Sequence, residues 1–101
     1  PTASLDRQAG DSTRLCIINE NVPGLLGQIT TTLGTKGVNI AQQLNTSRDT
    51  IAYNVIDLDA IDQETASDLQ NAILAIDGVL STRVIWRGSA DEGPANFLTK
   101  G

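Results

Sequence analysis

The chain has 101 residues, of which 40% are apolar and 19% charged, with a formal net charge of −5. This length suits one domain with one core and is too short for two. Histidine is absent and Cys16 is the single cysteine, which excludes an internal disulfide, a zinc site built on cysteines and any nucleophile paired with histidine. The acidic balance is unfavourable for nucleic-acid binding, and no apolar run approaches a membrane span. We therefore expect a small, non-catalytic, cytoplasmic domain.

Both ends of the chain read as segments outside the domain. Residues 1–12 are small and polar without periodicity, which is typical of a linker from a larger chain. Residues 88–101 carry glycines and a proline among polar side chains, and we interpret them as a C-terminal tail. The domain is therefore assigned to residues 13–87.

The first half of the domain reads as strand, helix, strand. Residues 13–19 are rich in β-branched side chains, which predicts a strand. Pro23 suits the first position of a helix, because its missing N–H is not needed there. An apolar stripe and a glycine pair mark the helix and its end: Leu25, Leu26, Ile29 and Leu33, then Gly34 and Gly37. Residues 38–46 alternate as a second strand, with Ile40 and Leu44 on one face.

The second half repeats this order. Residues 51–58 predict a third strand, and the short turn at residues 47–49 makes the two strands an antiparallel hairpin. Asp62 is a suitable N-cap for a second helix, which the sequence ends at Gly78. Residues 79–86 supply the last strand.

The order of these elements predicts a ferredoxin-like βαββαβ plait of the α+β class. This plait has a four-stranded antiparallel sheet with two helices on one face. Right-handed crossovers give the strand order 4-1-3-2 and leave strands two and four at the edges. Alternate residues of the third strand, among them Tyr53 and Val55, are too apolar for a freely exposed face. We therefore expect a partner chain or another domain to cover an edge or that face.

The acidic residues and the cysteine favour structural roles. The acidic residues between positions 57 and 77 lack the spacing of a calcium loop, so we interpret them as a helix start and a solvated face. Cys16 lies in mid-strand among apolar residues and is predicted to belong to the core. No metal site and no catalytic residue is predicted.

The junction of the first strand and the first helix is the most informative stretch for function. Asn19 and Asn21 end the strand, and Gly24 has no side chain, so a ligand can approach its backbone closely. A helix N-terminus suits a small carboxylate, and the amides of these asparagines and of Asn39 suit an ammonium or a hydroxyl. In the structural alternative, Asn21 only caps the helix and Asn39 only finishes a turn.

Two motifs in this region resemble those of a known family. Asn-Glu-Asn-Val-Pro-Gly-Leu-Leu at residues 19–26, followed by Gly-Val-Asn-Ile at residues 37–40, resembles the ACT domain, an amino-acid-sensing module with this same plait. Residues 39–57 and the Ile-Asp-Gly-Val at residues 76–79 are most similar to the C-terminal regulatory domain of D-3-phosphoglycerate dehydrogenases, which catalyse the first step of serine synthesis. The resemblance covers residues 14–86.

The resemblance implies a site shared by two subunits. In that family two domains pair and continue one sheet, and L-serine binds at the seam. Asn21 and Asn39 would hold the effector from opposite subunits. Main-chain contacts near the helix start would come from Val22, Pro23, Gly24 and Leu25. Asn19 stands where serine-sensitive members have histidine, and it can donate a hydrogen bond but cannot be a cation.

The resemblance also implies how the domain acts. The chain itself holds no cofactor, and the catalytic residues and NAD belong to upstream domains of the parent dehydrogenase. The expected partners are L-serine or a similar small amino acid, a second copy of the domain and those catalytic domains. An effector that bridges two protomers favours one arrangement of them, and the linker passes this bias to the catalytic part.

Several alternatives remain at this point. The first is a structural dimerisation domain without effector binding, and the second is an ACT domain that senses another amino acid, such as glycine or alanine. A small acyl phosphatase is disfavoured, because no basic residue lies between Arg14 and Lys36. An RNA-binding plait is disfavoured, because Phe, Trp and Tyr occur once each and the charge is negative.

Overall fold

The computed structural model describes residues 12–87 and 96–99, which form one antiparallel sheet and two helices. In chain order the elements are β1 (Ser12–Glu20), α1 (Leu25–Thr35), β2 (Ile40–Arg48), β3 (Ile51–Asp59), α2 (Gln63–Leu74), β4 (Val79–Arg87) and β5 (Asn96–Thr99). The strand order is β2-β3-β1-β4-β5. The predicted βαββαβ plait and the order of its four strands are confirmed.

The two helices cover one face of the sheet. Because successive side chains of a strand point to opposite faces, every second residue of β1 and β3 faces the helices. These residues are buried: Thr13, Leu15, Ile17 and Asn19 in β1, and Ala52, Asn54, Ile56 and Leu58 in β3. The helices contribute Leu25, Ile29 and Leu33 from α1, and Ala66, Leu69 and Ile73 from α2. The core therefore lies between this inner face and the helices.

Strand β5 is an element that the sequence did not predict. It pairs with β4, with Ser81 opposite Thr99 and Val84 opposite Asn96, so β4 is not the edge that we expected. Four residues are too few to show an alternating pattern. The rest of the predicted tail and residues 1–11 of the predicted linker lie outside the described residues. Ser12, which was assigned to the linker, begins β1.

The start of α1 differs from the prediction. Gly24 is the N-cap residue with a φ of 82°, and Pro23 lies in the turn before it, so Pro23 is not the first helical residue. The helix begins after a left-handed residue, a conformation that glycine adopts without steric cost. At its other end Gly37 has a φ of 74° and ends the helix as predicted.

A bulge in β2 determines the face on which Leu44 lies. Ile40 lies opposite Leu58 and Gln42 opposite Asp57, so the register shifts between them. An extra residue in one strand reverses the alternation beyond it. Ile40 therefore packs against the core, whereas Leu44 lies on the outer face and is 60% exposed. The prediction that both occupy one face was wrong.

The second helix begins as predicted and ends earlier. Asp62 is its N-cap, and the Oδ1 atom accepts a hydrogen bond from the Thr65 N–H at 2.8 Å. The helix ends at Leu74, and Gly78 belongs instead to the turn into β4, with a φ of 101°. A Cβ at Gly78 would lie 3.0 Å from Leu25 Cδ2, so this turn packs closely against the start of α1.

The outer face of the sheet carries an ion pair and a partly buried thiol. Arg14 Nε donates to Asp57 Oδ1 at 2.8 Å, and its Nη2 donates to Oδ2 at 3.0 Å. Cys16 lies on this face and not in the core, which corrects the prediction. Burial raises the pKa of the Cys16 thiol, although the charge of Arg14 opposes the shift. Tyr53 is 45% exposed on the same face. Its coverage by a partner stays a prediction.

Gly24 and Gly27 provide a matched test of the left-handed N-cap. Neither has a heavy atom within 4 Å of an added Cβ, so a methyl group has room at both positions. We expect Gly24→Ala to lower the free energy of unfolding by about 1–2 kcal/mol, because alanine is strained at positive φ. Gly27 lies inside α1, so Gly27→Ala should raise the free energy of unfolding by about 0.5–1 kcal/mol. Urea denaturation measures both values, and a change of the same sign in the two variants would contradict this account.

The Cys16 thiol should react slowly in the folded chain. Its raised pKa leaves less thiolate at mildly alkaline pH than an unfolded thiol has, and the thiolate is the reactive form. We expect its reaction with an aromatic disulfide reagent to be slower in buffer than in urea, and to keep accelerating above the ordinary pKa of 9.0. Equal rates in buffer and urea would show that burial does not protect the thiol.

Candidate functional site

The loop between β1 and α1 is held by turns on both sides. The Glu20 N–H donates to the Gly78 carbonyl at 2.8 Å, and the Asn21 N–H donates to the Thr50 carbonyl at 2.7 Å. The Asn21 side chain adds a third contact, because its Nδ2 donates to the Asp49 carbonyl at 3.1 Å. The loop conformation is therefore fixed by the β2–β3 turn and by the α2–β4 turn.

The structure excludes Asn21 as the cap of α1. The N-cap is Gly24, so the helix starts without a side-chain cap. The N–H groups of a first helical turn have no partner within the helix and carry partial positive charge. Here the Leu25 N–H donates to the Val22 carbonyl at 3.4 Å, which leaves the Leu26 and Gly27 N–H groups to bind a small anion without displacing a side chain.

Asn19 lies beneath the loop, inside the domain. Its side chain is 3% exposed. Its Oδ1 accepts from Asn54 Nδ2 at 2.6 Å, and its Nδ2 donates to the Glu20 carbonyl at 2.8 Å. Both ends of the amide are thus occupied within the chain, and direct contact with an effector would require the amide to leave these partners.

Asn39 lies at the end of the sheet opposite to Asn21. It precedes β2, and its Nδ2 donates to Asp59 Oδ2 at 2.9 Å. Asp59 is aligned with Ser12 at the start of β1, whereas Asn21 follows the end of β1. β1 has nine residues, and a strand of that length spans about 26 Å at ~3.3 Å per residue. One chain therefore cannot bring both amides to one small ligand.

The other predicted site residues gather at the start of α1. Four of them are exposed: Asn21, Val22, Pro23 and Gly24. The Leu25 side chain is buried, so only its main chain can contact a ligand. An open cavity of about 420 Å³ adjoins the loop and is lined by Glu20, Asn21, Val22, Asp49, Thr50, Ile51 and Leu80. A second cavity of about 500 Å³ is lined by Gly24, Gly27, Gln28, Thr31, Thr32 and Ile76. The loop thus separates two clefts.

The β2–β3 turn is a part of this site that sequence reasoning missed. Asp49 adopts a φ of 56°, a left-handed conformation that aspartate tolerates better than most residues. Its carbonyl and that of Thr50 receive the two hydrogen bonds from Asn21. The side chains of Asp49 and Glu20 are exposed beside the first cleft and give it negative charge. This charge suits an ammonium group.

Three acidic residues elsewhere make contacts that serve the fold. Asp57 pairs with Arg14, Asp62 caps α2 and Asp59 accepts from Asn39. Among residues 12–87 and 96–99, no group of three or more His, Cys, Asp or Glu side chains is arranged to hold a metal ion. No helix of this part of the chain has the length and apolar character needed to cross a membrane.

Comparison with known proteins gives relatives by sequence and others by fold. No family model matches the chain. The chain is 35% identical over 86 residues to D-3-phosphoglycerate dehydrogenase of Escherichia coli strain K12, a match that covers 85% of this chain and 20% of the enzyme. The chain therefore spans about a fifth of the length of this relative.

Two solved structures illustrate the likeness in fold. The ACT domain of GTP pyrophosphokinase from Chlorobium tepidum has a TM-score of 0.66 and 18% identity, covering 74% of this chain and 99% of that one. The regulatory subunit of aspartate kinase from Thermus thermophilus has a TM-score of 0.55 and 14% identity, covering 80% of this chain and 60% of that one. The resemblance to ACT domains and to D-3-phosphoglycerate dehydrogenase is thereby confirmed, and the chain has the ACT-domain fold.

Proposed function

We propose that this chain is a regulatory domain that binds L-serine and conveys feedback inhibition to an NAD-dependent D-3-phosphoglycerate dehydrogenase in the cytoplasm. The observation that carries the proposal is the exposed Asn21 amide, held in a fixed position beside the uncapped start of α1. The sequence likeness to that enzyme over 85% of this chain supports the choice of parent protein. In this proposal the catalytic residues and NAD belong to the part of the enzyme that the chain does not match.

The chemistry of the loop suits a zwitterionic amino acid. The Nδ2 of Asn21 is bound to Asp49, and within the described residues its Oδ1 has no hydrogen-bond partner, so this oxygen can accept from an ammonium or a hydroxyl. The Leu26 and Gly27 N–H groups in the first turn of α1 can donate to the carboxylate. The exposed carboxylates of Glu20 and Asp49 add attraction for the ammonium.

A second copy of the chain supplies the remaining amide in this proposal. β2 is exposed along its whole length after Ile40, and its outer edge pairs with no strand of the described sheet. If two copies of β2 pair in antiparallel fashion, the start of one lies beside the end of the other. Asn39 precedes β2 and the Asp49–Thr50 turn follows it. This pairing therefore moves Asn39 of one copy toward Asn21 of the other.

The geometry supports regulation through the arrangement of the two copies. An effector bound between Asn21 and the second copy's Asn39 stabilises the paired form, since it contacts both chains only there. The coupling is reciprocal, so the catalytically active arrangement should bind serine less tightly. A dimerisation domain without an effector, or one that senses glycine or alanine, is distinguished by the following experiment.

Calorimetric titration of L-serine into the dimeric 101-residue chain tests effector binding. We expect saturable heat that disappears in Asn21→Ala and persists in the matched variant Asn71→Ala, which removes an exposed asparagine from α2. Glycine and L-alanine titrated in parallel show whether the hydroxyl group is recognised. An intact dimer that gives no heat with any of the three would favour a purely structural dimerisation domain.

A mixture of two inactive variants tests whether the site is shared. Asn21→Ala and Asn39→Ala should each abolish binding in their own homodimers. In a mixed dimer one site loses both asparagines and the other keeps both. An equimolar mixture should therefore regain about a quarter of the wild-type sites by random pairing of the two chains. No recovery, from chains shown to exchange subunits, would contradict a shared site.

A further inference from the structure

Three asparagine side chains form a hydrogen-bonded row across β2, β3 and β1. Asn45 Nδ2 donates to Asn54 Oδ1 at 2.5 Å, and Asn54 Nδ2 donates to Asn19 Oδ1 at 2.6 Å. Asn19 Nδ2 then donates to the Glu20 carbonyl at 2.8 Å. The two inner members are 1% and 3% exposed, whereas Asn45 is exposed at the edge strand. The row thus joins the sheet edge to the loop before α1.

The direction of the whole row is set by its last acceptor. A backbone carbonyl can only accept, so the Asn19 atom that contacts Glu20 must be Nδ2 and its Oδ1 must face Asn54. The same reasoning turns the Asn54 Nδ2 toward Asn19 and its Oδ1 toward Asn45. Reversing any one amide would place two donors or two acceptors against each other. The three side chains therefore hold one another in a single orientation.

The Glu20 carbonyl at the end of this row also shapes the loop. It accepts a second hydrogen bond from the Val22 N–H at 3.0 Å, which closes a tight three-residue turn around Asn21. Asn19 therefore fixes the carbonyl on which this turn depends. The row thus ends at the Glu20 carbonyl, directly before Asn21, whose side chain donates instead to the Asp49 carbonyl.

We propose that Asn54 is a positioning residue that couples the edge strand β2 to the effector loop. Its hydrogen bond to Asn19 helps to hold the Glu20 carbonyl and the turn at Asn21. Its hydrogen bond from Asn45 links this arrangement to the environment of the β2 edge. In the proposed β2–β2 pair Asn45 would lie at the seam, and hydrogen bonds away from water are stronger electrostatically. The inference rests on the proposed function for the identity of the effector, but its structural part stands on this row alone.

Amide hydrogen exchange of the ¹⁵N-labelled 101-residue chain tests the coupling without an effector. Asn54→Leu preserves the side-chain size and removes both hydrogen bonds, so the Val22 N–H should exchange about fivefold to tenfold faster. Asn45→Ala removes only the hydrogen bond from Asn45 to Asn54 and should accelerate exchange of the Val22 N–H by about twofold to threefold. Gln43→Ala is the matched control, because Gln43 is exposed two residues away on the same face of β2. It should leave the rate unchanged.

A purely structural role for Asn54 predicts a different result. In that case Asn54→Leu would accelerate exchange across the whole domain equally, or would leave Val22 within twofold of the wild type, and either outcome overturns the proposal. If Asn54→Leu does not fold, the coupling is tested by comparing Asn45→Ala with Gln43→Ala. Equal hydrogen-exchange rates of the Val22 N–H in these two variants would reject the coupling. The side-chain NH₂ signal of Asn19 gives a second readout, and it should shift in Asn54→Leu but not in Gln43→Ala.

Serine titration of the same variants separates this inference from the proposed function. If the wild type binds serine, the affinity should fall about tenfold in Asn54→Leu and remain unchanged in Gln43→Ala. An unchanged affinity in folded Asn54→Leu would contradict the positioning role. A wild type that binds no serine would reject the effector assignment alone, and the exchange rates would still decide the coupling.

Discussion

The central position of β1 in the sheet is the constraint on which the candidate site depends. β1 pairs with β3 on one side and β4 on the other, so it has no free edge, and its inner face is buried under the helices. The chain leaves the sheet at Glu20, between the turns that connect the neighbouring elements. The N–H group of Glu20, the last residue of β1, and that of Asn21, the next residue, donate to carbonyls of these turns. The loop conformation therefore depends on the neighbouring elements of the sheet as well as on the loop sequence.

Most of the fold could be predicted because burial imposes a period on the sequence. β1 and β3 alternate as strands with one buried face do, and both helices carry an apolar stripe. Two of the departures have local causes that periodicity cannot show. The bulge between Ile40 and Gln42 adds one residue without changing the composition of the strand. β5 is defined by its pairing with β4, which the sequence of four residues does not show.

The candidate site was predictable in part, for a related reason. Asn21 and Gly24 lie three residues apart in a short motif that is visible in the sequence. Asp49 lies 28 residues from Asn21, and a backbone carbonyl carries no residue-type signal, so this contact had to come from the structure. Asn54 did leave a signal, since it is an asparagine on the otherwise apolar inner face of β3. A polar residue there needs buried partners, but only the strand register identifies them as Asn19 and Asn45.

The short strand β5 has a consequence for the size of the proposed assembly. In the described sheet, one outer strand is the nine-residue β2 and the other is the four-residue β5. A sheet with two long open edges can add further copies at both ends and grow into a filament. Here β5 has only four described residues, and the proposed β2–β2 contact would use the long edge of both chains. In that arrangement the proposed assembly would be a closed, two-fold symmetric pair.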